Sequence, residues 1–178
     1  MLQAAGILLE KHGVEGLTLR GLARRARVSH NAPYRHFPDR KALLAALATE
    51  GFEEFRERLD AAEKSGGLRA RGEAYVRFAL AHPQRFRLMF GSGLAFSAHP
   101  GLQEQARQAF GGLEDAIAAH AGGGAPHAAI AAWALVHGLS QLLLERRVGA
   151  AAQDEVGKFV RAVLGSVRFA VGPAQPSE

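Results

Sequence analysis

The sequence predicts an all-α protein, with a three-helix helix-turn-helix unit at its N-terminus and a helical body behind it, about nine helices in all. Three observations carry that expectation. Ala, Leu, Arg and Glu are abundant, and no segment alternates apolar and polar residues as a half-buried strand would. Gly and Pro breakers cut the chain at helical intervals. The positive charge is also unevenly placed. Residues 1–50 hold eight Lys/Arg against four acids, residues 51–178 hold fourteen against thirteen, and the window 20–41 alone has seven basic residues and one acid.

Residues 1–12 read as a first helix, with Ala5, Leu8 and Leu9 on one side and Gly13 at its stop. Thr18 is an N-cap for a second helix from Leu19 to Ala26. After a break at Arg27-Val28, Ser29 is the next cap candidate, for a short third helix ending near Phe37. Leu22, Ala23, Val28 and Phe37 are the expected small core between the three. A long helix follows from Arg40 to Lys64, broken by Ser65-Gly66-Gly67. Helices over 68–81, 84–90 and 100–120 come next, the last with two glycines at 111–112. Residues 121–125 read as a loop. Pro126 suits the first turn of a helix reaching Arg147. A final helix runs over 154–169, and the Pro-containing end, 172–178, reads as a flexible tail.

Several classes of function are excluded or disfavoured. With no cysteine, there is no disulfide scaffold, thiol nucleophile or Cys-based metal site. No His-Glu-x-x-His, Gly-rich phosphate loop or Gly-x-Ser-x-Gly is present, so an enzyme, a cofactor and a metal are not expected. The start has no basic region before an apolar stretch and no apolar run reaches membrane-span length, which makes the cytoplasm the expected location and a membrane an unexpected partner.

A tight break between two short helices, within a basic segment of net charge +4 on a body of +1, describes a polyanion binder whose third helix enters the major groove of double-stranded DNA. This segment resembles the tetracycline-repressor (TetR) family through Ala5, Gly13, Thr18, Leu22-Ala23, Ala26, Val28-Ser29, Tyr34-Arg35-His36-Phe37, Arg40 and Leu43-Leu44. Ala81-His82-Pro83 and Trp133-Ala134-Leu135-Val136-His137-Gly138 look like the subgroup whose C-terminal domain carries a Trp/His-Gly signature. The resemblance implies a DNA-binding domain at 1–45, a ligand-binding and dimerisation domain at 46–171, and dimerisation through the last two helices, here about 126–147 and 154–169. A homodimer would match an inverted-repeat operator.

By the same resemblance, Thr18, Tyr34, His36 and Arg40 are phosphate contacts. Each also has a plainer reading: a cap for Thr18, packing for Tyr34 and His36, a solvated charge for Arg40. Lys41 can reach phosphate at the next helix start. Arg20, His30, Asn31 and Ala32 are the candidates for reading bases, since Arg can grip guanine, Asn can pair with adenine and Ala can touch a thymine methyl. Ser29 stands at the helix entrance with them. Two residues depart from the family pattern. Arg27 stands where Gly is frequent, at a cost of roughly 1 kcal/mol if the turn needs positive φ. Pro33 sits in the recognition helix where Leu or Ile is usual. No basic arm precedes the first helix, so a minor-groove contact from an arm is not expected.

Tyr75, Phe78, Phe86, Met89, Phe90, Phe96, Trp133 and His137 are candidate lining for an apolar effector pocket, with His137, four residues after Trp133, as its polar anchor. Plain core packing is the competing reading of each. The function expected is therefore a ligand-responsive, sequence-specific regulator, usually a repressor, released by a small apolar effector. The alternative is a DNA-binding protein with no small-molecule effector.

Overall fold

The computed structural model describes residues 1–91, 93–121, 126–149 and 155–167. Among these are seven α-helices and two 3₁₀ turns, with no strand, which is the all-α class expected. The expected loop at 122–125 and the tail at 172–178 lie outside the described residues.

Helix α1 (Leu2–Gly16) buries Ala5 and Leu9, and its backbone leaves the helical region at Gly13 (φ 68, ψ −179), the residue read as its stop. Only glycine takes that left-handed φ without strain. Helix α2 (Leu19–Ala26) has the bounds read from the sequence, and the Thr18 hydroxyl accepts from Gly21 N–H at 3.0 Å. Helix α3 (Arg40–Ala81) starts under an Asp39 cap on Ala42 N–H at 2.8 Å. Its helical geometry is interrupted at Gly66 (φ −151) and Gly67 (φ 69), so the expected break falls where the glycines are. Helix α4 (Pro83–Phe90) opens on a proline, helix α5 (Pro100–Ala121) continues through Gly111-Gly112, and helix α6 (Pro126–Leu144) stops short of the expected Arg147. Helix α7 (Val156–Ser166) is the last described element.

The third helix is the main departure from expectation. Residues 30–36 form turns with a single 3₁₀ turn at Pro33–Arg35 and no α-helix. Pro33 has no N–H, so the Ser29 carbonyl is met by Ala32 N–H at 3.0 Å instead of by an i+4 donor. Arg35 N–H then bonds Ala32 O, and His36 and Phe37 N–H both bond Pro33 O. The cap position falls on Ala32 and not on Ser29, and no side chain caps it.

The chain forms two interleaved compact units: Met1–Glu57 with Phe78–Ala109, and Arg58–Arg77 with the chain from Phe110 onward. In the first, Leu9, Leu17, Leu22, Leu43 and Leu47 are fully buried with Phe78, Phe86 and Met89. Phe37 and Ala23 belong to that core, but Val28 does not; it is 40% exposed. Edge-to-face contacts join Phe55 to Phe78 (5.1 Å between ring centres) and Phe52 to Phe90 (5.4 Å). In the second unit, Ile117, Ala129 and Ala132 pack with Leu68, Phe110, Leu113 and Ala128. Within α6, His127–Leu144 has the length and mean hydropathy (1.4) of a membrane span, though only a third of it is buried. Ala129, Ala132, Val136, Leu139 and Leu143 form its buried face, as in a core helix, while Ile130, Trp133 and Leu142 are exposed.

Candidate nucleic-acid interface

The turn between α2 and the recognition segment is built on Arg27, whose backbone is left-handed (φ 54, ψ 42). Its N–H bonds Arg24 O at 3.3 Å, and Val28 N–H bonds Ala23 O at 3.1 Å. This is the positive φ that the family's usual glycine would adopt without penalty, so the sequence departure becomes a small backbone strain of roughly 1 kcal/mol.

Beyond the turn the side chains form a hydrogen-bonded chain. Arg20 Nε donates to His30 Nε2 at 3.0 Å, and His30 Nδ1 lies 3.2 Å from Asn31 Oδ1. Because Nε2 accepts, the ring proton sits on Nδ1 and donates to Asn31. Asn31 Oδ1 is thereby oriented and its amide nitrogen is left as a donor. The His30 and Tyr34 rings lie 6.0 Å apart, and Tyr34 is 46% exposed. Arg20, Ser29, His30, Asn31, Tyr34, His36 and Lys41 are all exposed, as are Arg24, Arg25, Arg27 and Arg35; Ala32 is half-buried. The structure thus gathers three of the four base-reading candidates into one linked group on a basic, solvent-facing surface. Arg35, in the 3₁₀ turn, was not singled out from the sequence, and its signal was only its place in the basic window.

Arg40 is placed differently from the others. Its Nε donates to Leu17 O at 2.8 Å and one Nη donates to Val14 O, so the guanidinium ties the start of α3 to the end of α1 and the linker that follows it. No sequence pattern shows this pairing, which spans more than twenty residues. A second tie was also invisible. The Glu10 carboxylate of α1 accepts from Gln84 N–H (3.1 Å) and Arg85 N–H (3.0 Å), the first two free amides of α4 after Pro83. A carboxylate at a helix N-terminus meets both unpaired donors and the positive end of the helix dipole. Arg85 also donates to Glu54, and Gly6 and Gly51 leave room for its side chain. Above this lies an open concavity of about 640 Å³ lined by Gln3, Ile7, Lys11, Glu50 and His82 among others, and by none of the expected effector residues.

Those effector candidates fall into two groups. Phe78, Phe86, Met89, Phe90 and Phe96 belong to the first unit, where the first three are fully buried in its aromatic core. Tyr75, Trp133 and His137 belong to the second and are joined. Trp133 Nε1 donates to Tyr75 Oη at 3.1 Å, and Tyr75 Oη lies 2.9 Å from His137 Nδ1. Burial pushes the Tyr75 hydroxyl well above its ordinary pKa, so it stays protonated and donates to Nδ1. On the neutral His137 ring the other nitrogen, Nε2, lies 3.4 Å from the Gln141 amide nitrogen. Burial also lowers the His137 pKa, which favours that neutral form. Phe110 packs edge-on against Trp133 at 5.7 Å.

An all-α chain with an exposed basic recognition segment behind a two-helix turn is a helix-turn-helix DNA-binding regulator by architecture. The sequence matches bacterial regulatory proteins of the tetR family over residues 1–47 and the tetracyclin repressor-like C-terminal domain over residues 68–167. The chain belongs to the TetR family. A solved protein of unknown function from Rhodococcus sp. RHA1 is 38% identical (TM-score 0.72), with 93% of this chain and 88% of that one covered. The TetR family regulator PfmR from Thermus thermophilus shares the fold at 17% identity (TM-score 0.65; 92% and 95% covered). A TetR variant from Acinetobacter baumannii, solved in complex with minocycline, is 25% identical (TM-score 0.58; 93% and 92% covered). No curated protein matches the sequence.

Proposed function

We propose that this protein is a repressor that binds an inverted-repeat operator as a homodimer and is released by a small-molecule effector. The observation that carries the DNA half of this reading is the Arg20–His30–Asn31 chain on an exposed basic face. In this reading residues 1–45 bind DNA and 46–171 bind effector and dimerise. Arg20, His30, Asn31 and Ala32 read bases beside Ser29. Thr18, Tyr34, His36 and Lys41 hold phosphates, and Arg40 acts on phosphate while bracing the linker. Phosphate contacts set register, whereas base contacts set sequence.

The exposed Ile130, Trp133 and Leu142 of α6, with exposed Val167 just after α7, support dimerisation through these two helices. The minocycline complex of the Acinetobacter relative supports a small molecule as effector. We assign effector contact to Tyr75, Trp133 and His137. Phe78, Phe86 and Met89 serve the aromatic core, with half-buried Phe90 and Phe96 at its margin. An effector that prefers the conformation unable to bind DNA weakens operator binding by the same factor by which the operator weakens effector binding. The Glu10–α4 and Arg85–Glu54 ties connect α1 to α4 and α3, and with the long helix α3 they are the candidate levers.

The test is selection of bound fragments from random DNA, followed by affinity against salt. The expected result is one enriched inverted repeat with a steep salt dependence. Uniform, salt-sensitive binding with no enriched site would overturn operator recognition. The packed aromatic core favours the alternative of a regulator with no effector, and a compound screen for operator release separates the two.

A further inference from the structure

We infer that Arg71, through the unoccupied edge of its guanidinium, holds an uncharged carbonyl oxygen of the effector. This rests on the effector reading above and names the chemistry the effector must carry. Arg71 lies on the second helical segment of α3, one turn before Tyr75, and its side chain is only 3% exposed. Nη1 donates to Asp60 Oδ1 and to Glu63 Oε2, each at 2.8 Å. Nε and Nη2 are buried and make no hydrogen bond among the described residues. Nε–H and one Nη2–H form the fork along one edge of the planar guanidinium, and Nη1 takes no part in it. Two donors left without acceptors in a buried position are costly, and native proteins rarely leave them so.

The surroundings decide what fits. Two carboxylates already answer the charge of Arg71 at Nη1, so the fork lacks acceptor oxygens and has no charge deficit for another anion to fill. At Gly112 the α5 backbone comes close to the fork without a side chain, and a Cβ there would come within 2.9 Å of Nη2. A Cβ on Gly111 would meet nothing within 4 Å. Tyr75, four residues after Arg71, shares its face of the helix; Trp133 donates to Tyr75, and Phe110 packs on Trp133. The same helical segments of the second unit therefore place an oxygen-seeking fork near an aromatic surface. A ligand with an apolar or aromatic body and a ketone, ester or amide oxygen suits both.

The experiment uses the full-length protein without DNA and three probes of matched shape: 4-phenyl-2-butanone, 3-phenylpropanoate and butylbenzene. Binding is read by calorimetry and by the fluorescence of Trp133, the single tryptophan of the chain. The expected result is that the ketone binds tighter than both the hydrocarbon and the carboxylate, on the order of tenfold or more. Arg71→Lys keeps the charge facing Asp60 and Glu63 but removes the fork, and should erase the ketone's advantage. Gly112→Ala keeps the Arg71 side chain but pushes a methyl against Nη2, and should reduce the same advantage, which keeps the test decisive if Arg71→Lys does not fold. No binding by any probe, equal binding of ketone and hydrocarbon, or an advantage that survives both variants would overturn the inference. A preference for the carboxylate would overturn the uncharged ligand. Operator release by some other compound with no dependence on Arg71 would leave the repressor reading standing and sink only this inference. An Arg71-dependent ketone preference with no effect on DNA would do the reverse.

Discussion

The DNA-facing group in residues 20–37 and the polar cluster of the second unit use similar residue types in opposite surroundings. In the first, Arg20, His30 and Asn31 are exposed and bond one another within eleven residues of chain. In the second, Arg71, Tyr75 and His137 are buried or half-buried, and the Tyr75–His137 bond spans 62 residues. Water can replace any bond in the first group, so its bonds orient donors without contributing much stability. In the second, a lost partner leaves a desolvated group behind. A substitution in the recognition segment should therefore change DNA binding and leave folding alone, and one in the buried cluster should lower stability.

The largest test of that contrast is Arg71→Ala. Removing a buried stem together with its two ion pairs should cost about 3 kcal/mol, seen as a lower urea midpoint. Arg71→Met should cost less than half as much, because Asp60 and Glu63 are a third exposed (35% and 32%) and can be rehydrated, while two unbonded donors disappear. Equal losses for both variants would mean the charge matters more than the packing. On the exposed side, Asn31→Ala should weaken operator binding by about 1–3 kcal/mol in a titration at fixed salt, with non-specific binding and melting temperature unchanged. A fall in melting temperature would break the contrast, since it would make Asn31 part of the fold.

Arg27→Gly probes the one place where the exposed segment does touch stability. Relief of the left-handed backbone should raise the unfolding free energy by a few tenths to about 1 kcal/mol, the gain being reduced by the larger entropy of glycine in the unfolded chain. The smallest effect is the pH dependence set by His137. Its folded pKa is depressed by burial, so between that value and the ordinary one near about 6.5 the unfolded chain binds more protons. Stability from this group is full above about pH 6.5 and is lost as pH falls toward the folded pKa. His137→Gln should flatten that part of a melting temperature profile, and an unchanged slope would assign the dependence to other groups.

How much was legible in the sequence follows the same division. The stop at Gly13, the Thr18 cap, the bounds of α2, the break at Gly66-Gly67 and the proline start of α5 were readable because each depends on the conformational preference of one or two residues. The third helix was not legible, because a proline at position 33 is compatible with the first turn of a helix as well as with a break. Its missing donor instead shifted Ser29 O to a shorter bond and left a single 3₁₀ turn. Val28 was placed in the core by its apolar character, but the turn on Arg27 faces it outward.

The sequence by itself therefore determined the all-α class, most helix limits, the basic N-terminal face and the family, because these rest on local backbone chemistry, charge counting and an ordered motif. Only the tertiary structure decided that Arg40 braces the α1–α2 linker, that Glu10 caps α4, and that Arg71 is buried with two of its three nitrogens unmet. It also divided the aromatic residues, read as one pocket, between two compact units. Those outcomes depend on which groups meet across tens of residues of chain, where a buried donor has no water to fall back on and its partner is set by packing.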